Sequence, residues 1–185
     1  MEATNTKLQV RDLAYIGVFA ALMAVCAWIS IPVPPPMIPF TLQTMGVFLA
    51  VGLLGGKRGT MAILVYILLG AVGVPVFSGF RGGVGVLLGV TGGYIVGFLF
   101  TGLTMWAAEK LLGTKLWALA ASTVLGAVVL YVFGTVWYMV LYAQRGEPAA
   151  LGVVLANCVF PFMVPEAVKI AAALLLTSRL KPHIK

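Results

Sequence analysis

Two stretches of the chain, Ile16 to Ile31 and Leu116 to Leu141, contain no charged residue and no regular alternation of polar and apolar side chains. A strand of a membrane barrel alternates lipid-facing apolar with lumen-facing polar residues. These runs are apolar on every side, so they read as helices. Composition supplies the solvent. The chain is 62% hydrophobic and only 9% charged, with a mean hydropathy of +1.09. A soluble domain carries about 25% charged residues to cover its surface. A bilayer removes that need and demands that every backbone N–H and C=O be satisfied within the protein, which helices do. The expected class is an all-α integral membrane protein.

Spans of roughly 20 apolar residues divide the chain of 185 residues into six. They run from about Leu13 to Ser30, Thr41 to Gly55, Gly59 to Val74, Thr91 to Leu112, Trp117 to Tyr142 and Ala150 to Ser178. The first resembles a signal peptide, with Lys7 and Arg11 ahead of it, but its apolar run is long and it is read as uncleaved. The proline-rich stretch Ile31 to Pro39 cannot continue a helix. Gly55-Gly56-Lys57-Arg58 hinges spans two and three, and Gln144 to Pro148 separates the last two. No soluble domain or linker is visible, so residues 1–185 are expected to form a single transmembrane domain.

The net charge of +7 sits at the ends of the spans, where it sets topology and meets anionic lipid headgroups; no nucleic-acid-binding module is visible. Lys7, Arg11, Lys57, Arg58, Lys110, Lys115, Arg179, Lys181 and Lys185 fall on one side, and only Arg81 and Arg145 on the other. By the positive-inside rule both termini are expected to be cytoplasmic. Cys26 and Cys158 sit in apolar surroundings as buried thiols, and the single histidine, His183, lies in the basic tail. The tryptophans fall mostly near span ends, where interfacial anchoring explains them.

Two features do not fit an inert bundle. Glu166 and Lys169 lie inside the sixth span, three residues apart, where they share a helix face and can pair. A charge at the bilayer centre costs about 2.5–3.5 kcal/mol on insertion scales. The pair is either a self-neutralising lock between helices or the polar part of a pocket. Pro165 just before it is expected to start or break that helix. The second feature is the glycine-dense stretch Gly73 to Tyr94, which contains Arg81. Small residues let membrane helices approach closely. Non-helical backbone at membrane depth also lines cavities, and the free N–H groups at Thr91-Gly-Gly-Tyr94 could meet a carbonyl or carboxylate.

The same strings carry a resemblance. The stretch Gly73 to Tyr94, opening G-x-P-x-F-S-G and closing L-L-G-x-T-G-G-Y, is similar to the signature of the BioY family. So are Ile31-Pro-Val-Pro with Pro39 to Thr44, Phe133-Gly-Thr-Val-Trp137, and Pro161-Phe-x-x-x-Glu-x-x-Lys169. Together they span most of the chain in the family's order. Two positions depart from the usual pattern. Val90 stands where the family usually has proline, and Val164-Pro165-Glu166 where it has Pro-Gly-Asp.

The resemblance implies the biotin-binding S component of an energy-coupling factor (ECF) transporter, multi-pass in a prokaryotic cytoplasmic membrane. Its partners would be a transmembrane coupling subunit and two ABC-type ATPases, with no cofactor and no enzymatic step. No G-x-x-x-x-G-K-[ST] loop is present, so the chain would not be its own ATPase. Glu166 and Lys169 would contact the ureido group or the carboxylate, and Arg81 the tail carboxylate. Gly92, Gly93 and Tyr94 would supply backbone donors and a ring wall, while Phe77, Phe40 and Gln43 line or cover the site. Ala20 and Ala24 would form a small-residue docking face on the first helix, although ordinary internal packing also explains them. Other expectations stay open: a self-sufficient carrier, an S component for another vitamin, and a membrane-embedded enzyme using Glu166.

Overall fold

The computed structural model describes residues 9–33 and 38–184. Lys7, Lys185 and the centre of the proline-rich stretch, residues 34–37, lie outside the described residues. The chain is a helical bundle. In order it forms α1 (Val10–Trp28), β1 (Ser30–Ile31), β2 (Phe40–Thr41), α2 (Gln43–Leu54), α3 (Gly56–Ala71), α4 (Val84–Leu87), α5 (Gly92–Leu112), α6 (Leu116–Gln144), α7 (Leu151–Cys158) and α8 (Phe160–Leu180). A single 3-10 turn, Lys181–His183, follows.

Four helices are long and apolar enough to cross a membrane: α1, α5, α6, and α8 with its 3-10 extension. At 12 and 16 residues, α2 and α3 are about 18 and 24 Å long, short of a hydrocarbon core of about 30 Å. α2 is apolar all round because protein surrounds it. Every residue from Gln43 to Leu54 except Met45 is buried, enclosed by α1, α3, α5 and α8. α5 and α6 pack along most of their length. Glycines make that approach possible: a Cβ on Gly134 would lie 2.3 Å from the Tyr94 ring, and one on Gly126 2.9 Å from Thr101.

Three departures from the sequence reading have local causes. The sixth span is two helices, α7 and α8, broken at Val159 (φ −125°, ψ −62°). Pro161, in the first turn of α8, has no N–H with which to continue α7. Pro165 neither starts nor breaks a helix; it lies inside α8. Its missing N–H removes only the bond to the carbonyl of Pro161, one turn in from the start. The proline-rich stretch is also flanked by a two-residue antiparallel pair, Ser30 with Thr41 and Ile31 with Phe40, which returns the chain from α1 to α2.

The α2–α3 joint is a single residue, Gly55, at φ +81°, a conformation that strongly favours glycine. The Glu109 carboxylate of α5 caps the buried Gly56 N–H at the start of α3, and Arg58 pairs with buried Asp12 of α1 at 3.1 Å. At the opposite end, residues 72–91 fold over the bundle. Phe77 and Arg81 exchange backbone hydrogen bonds of 2.9 and 3.3 Å. Two tryptophans secure this loop: Trp28 Nε1 donates to Pro75 O at 2.9 Å and Trp137 Nε1 to Gly89 O at 3.1 Å.

Candidate functional site

Under that loop lies a cavity of about 60 Å³, walled by α2, α5, α6 and α8. Its lining is mainly apolar: Ile38, Phe77, Ile95, Phe98, Leu130 and Phe162. Its polar groups come from α2 and its lead-in (Thr41, Gln43, Thr44), α6 (Tyr131), α8 (Glu166, Lys169) and the loop (Ser78, Arg81). Sequence spacing made the α8 pair. Residues three apart lie on one helix face, and the first turns of α8 point that face at α2.

The pair is fully inside the protein, with Glu166 3% and Lys169 6% exposed. Lys169 Nζ donates to Glu166 Oε2 at 2.6 Å, to Thr44 Oγ1 at 2.7 Å and to Thr41 O at 3.3 Å. An ammonium has three donors, so all are engaged. Glu166 Oε2 also accepts from Thr44 Oγ1 at 3.2 Å and from Tyr131 OH at 3.1 Å. Three donors therefore converge on one carboxylate oxygen. The other, Oε1, is buried with no hydrogen-bond partner among the described residues. A buried polar group without a partner costs about 1–3 kcal/mol, more when charged.

Gln43 is fixed beside the pair. Its Nε2 donates to Tyr66 OH at 2.6 Å, and its Oε1 accepts from Thr41 Oγ1 at 3.0 Å. Tyr66 passes the chain on to Val76 O at 3.1 Å. Phe77, 1% exposed, meets Tyr66 edge-on at 5.6 Å and forms a wall. Phe40 covers the ion pair rather than lining the cavity. It stacks on Phe162 at 6.0 Å and lies 5.2 Å from Lys169 Nζ. Arg81 sits at the exposed rim, where its Nε donates to Ser78 O at 3.2 Å, its one hydrogen bond through the guanidinium among the described residues.

Not every expected residue has the expected part. Tyr94 lines the cavity with its ring, but Gly92 and Gly93 do not reach it. The N–H groups of Gly92 and Tyr94 already donate to Gly89 O at 3.0 Å and Thr91 O at 3.1 Å. A Cβ on Gly92 would stand 1.7 Å from Leu87 O, and one on Gly93 2.3 Å from Trp137. These glycines pack elements together. Ala20 and Ala24, at 2% and 4% exposed, face the interior of the chain, as internal packing requires. The exposed small residues of α1 are Ala14, Gly17 and Ala21.

The residues that sequence reasoning missed are Thr44, Tyr66 and Tyr131. A signal existed for two of them. Tyr131 is a tyrosine in the middle of an uncharged run, and a hydroxyl at membrane depth needs a partner. Thr44 opens a helix that is otherwise almost wholly apolar.

Comparison with known proteins agrees with this geometry. The chain matches the BioY family over residues 2–185. It is 41% identical to "Biotin transporter BioY" of Thermotoga maritima over 172 residues, 92% of this chain and 96% of that protein. It is 35% identical to "Probable biotin transporter BioY" of Pyrococcus horikoshii over 178 residues, 94% and 98% of the two chains. Among solved structures, the S-component for biotin from an ECF-type ABC transporter superposes with a TM-score of 0.81 at 27% identity, covering 98% of this chain and 95% of that one. The S component of a bacterial ECF transporter gives 0.57 at 19% identity, a likeness of fold. The chain belongs to the BioY family.

Proposed function

We propose, from this family membership and the site it encloses, that the chain captures biotin and takes it up across the cytoplasmic membrane as the S component of an ECF transporter. The observation that carries the reading is the buried Glu166 carboxylate at the wall of an apolar, aromatic cavity, one oxygen held by three donors and the other without a partner among the described residues. Biotin's fused rings suit the apolar walls, and a ureido N–H supplies the donor that Oε1 lacks. Of the three bonds of Lys169, the contact to Thr41 O is the longest, at 3.3 Å. A ureido carbonyl replaces it most easily. The valerate carboxylate reaches toward Arg81 at the rim.

In the membrane, α1, α2, α3, α5, α6 and the α7–α8 pair make six crossings, with both termini cytoplasmic and residues 1–185 acting as one substrate-binding domain. The short α2 and α3 span with help from the loops at their ends. Energy comes from a separate coupling subunit and two ABC-type ATPases, and the chain itself carries out no chemical step. The coupling subunit meets α1 on the exposed stripe bearing Ala14, Gly17 and Ala21, which adjoins the buried alanines.

The test is equilibrium binding of radiolabelled biotin to the purified, detergent-solubilised chain, with riboflavin and thiamin as competitors and Lys169→Met as control. Selective binding lost in the variant is expected. No binding by folded protein would overturn the assignment.

A further inference from the structure

We propose that Tyr131 is a positioning and specificity-determining residue of this site, turning one oxygen of Glu166 toward the ligand and walling the ligand off from an apolar groove on the bilayer side. The inference rests on the vitamin-binding reading above. Two independent observations carry it.

The first is the asymmetry of the carboxylate. Tyr131 OH, Thr44 Oγ1 and Lys169 Nζ reach Glu166 Oε2 from α6, α2 and α8 at 3.1, 3.2 and 2.6 Å. A carboxylate held by the lysine alone could turn about its terminal torsion, which is broad, and offer either oxygen. Donors from three helices fix that torsion. Oε1 is then left as an acceptor with one direction. The class of ligand it selects presents a neutral N–H donor, as a cyclic urea does. A donor blocked by methylation leaves Oε1 buried and unpaired.

The second is the wall. α6 and the α7–α8 pair diverge on one side of the bundle and leave a groove of about 640 Å³, lined by Val124, Val128, Val132, Leu155, Val159 and Ile170. Tyr131 and Glu166 border both this groove and the ligand cavity. The Tyr131 ring, braced edge-on by Tyr94 at 6.5 Å, is therefore the partition between them. The lining is almost wholly apolar and on the bundle's outer side, so an acyl chain is what fills it in a bilayer. Without the ring that chain would reach the ligand site.

The test uses the full chain in detergent. Binding of biotin and of biotin methylated at one ureido nitrogen is measured for wild type, Tyr131→Phe, Tyr131→Ala and Thr44→Val, in detergents of increasing alkyl length. Wild type is expected to prefer biotin strongly, whatever the detergent. Tyr131→Phe keeps the ring and loses the hydrogen bond. Its biotin affinity should fall about tenfold, and its preference over the methylated analogue should narrow, with detergent length still irrelevant. Thr44→Val should narrow the same ratio. Tyr131→Ala should in addition bind more weakly as the alkyl chain lengthens. A purely structural role would lower affinity for both ligands alike and leave the ratio unmoved. An unchanged ratio in both Tyr131→Phe and Thr44→Val overturns the orienting role, and indifference of Tyr131→Ala to alkyl length overturns the wall. Wild type binding neither ligand would sink the vitamin reading itself, whereas wild-type binding with unaltered variants sinks only this inference.

Discussion

Replacing Lys169 by Met removes an ammonium bonded to Glu166 at 2.6 Å and to Thr44 at 2.7 Å, with little change in volume. Glu166 remains, 3% exposed and without its counter-charge. Removing one partner of a buried ion pair destabilises by about 3–5 kcal/mol. On the scale of globular domains this size, about 2–4 °C per kcal/mol, thermal unfolding of the variant should begin some 6–20 °C lower. The companion change, Glu166→Gln, leaves the ammonium with Thr44 and Thr41 O and should also destabilise. The double variant Glu166→Gln with Lys169→Met carries no buried charge. It should regain most of the lost stability, because apolar or neutral replacement of a whole buried pair is often neutral. Biotin binding should not return, because Tyr131 and Thr44 hold the amide oxygen in the Oε2 position and an NH2 donor then stands where Oε1 accepted. Intrinsic tryptophan fluorescence against temperature reads the stability, and radioligand binding reads the site. Single variants within about 1 kcal/mol of wild type, or a double variant that binds biotin normally, would refute the reasoning.

Four further outcomes follow from geometry. Arg81→Ala should weaken biotin binding while leaving binding of biotin methyl ester unchanged, since only the free acid offers Arg81 a carboxylate; competition between the two ligands checks this. Gly17→Leu should leave stability and biotin binding intact, because nothing lies within 4 Å of a Cβ there, and should reduce co-purification with the coupling module. Ala20→Leu, in a buried position, should lose about 1–3 kcal/mol from overpacking, visible in thermal unfolding of the isolated chain. Gly93→Leu drives a side chain into Trp137, 2.3 Å from the new Cβ, and should prise α5 from α6 strongly enough to abolish monodisperse protein in size-exclusion chromatography.

Helix order was legible because glycine and proline punctuate the apolar runs, and the observed ends of α1, α5 and α6 fall within three residues of the expected ones. The break at Val159 was not. Val159 is an ordinary apolar residue, and the stop comes from Pro161 two positions on. The α8 pair stood out because charge at membrane depth is rare. Its partners carried a weaker signal, since a threonine and a tyrosine cause less offence in an apolar run than a charge does until their hydroxyls are placed. The choice between Ala20 and Gly17 was out of reach for a different reason. In a bilayer both the lipid-facing and the protein-facing sides of α1 are apolar, so hydropathy carries no signal for which side is inside; burial decides it. Glycine density marked the loop correctly but not its division of labour, because a glycine that admits a ligand and one that admits a neighbouring helix look alike until the neighbour is seen.

On the proposed reading, charge and hydrogen bonding together orient the ligand. Glu166 and Lys169 neutralise each other at the base of the cavity, while Arg81 is exposed at the rim with most of its guanidinium uncommitted. A ligand entering carboxylate-first would set a second anion beside Glu166 in a low-dielectric interior, where like charges repel strongly. It would also leave Oε1 without a donor. Entering ring-first, it brings neutral N–H groups to Oε1 and leaves its carboxylate near the arginine, in partial contact with water. The same arrangement uses the extra methylene that a glutamate has over an aspartate. The longer arm carries Oε2 to Tyr131 on α6 as well as to Thr44 on α2. Glu166→Asp would withdraw the carboxylate by one methylene toward α8, and the 3.1 Å bond across to α6 is the contact it would surrender first.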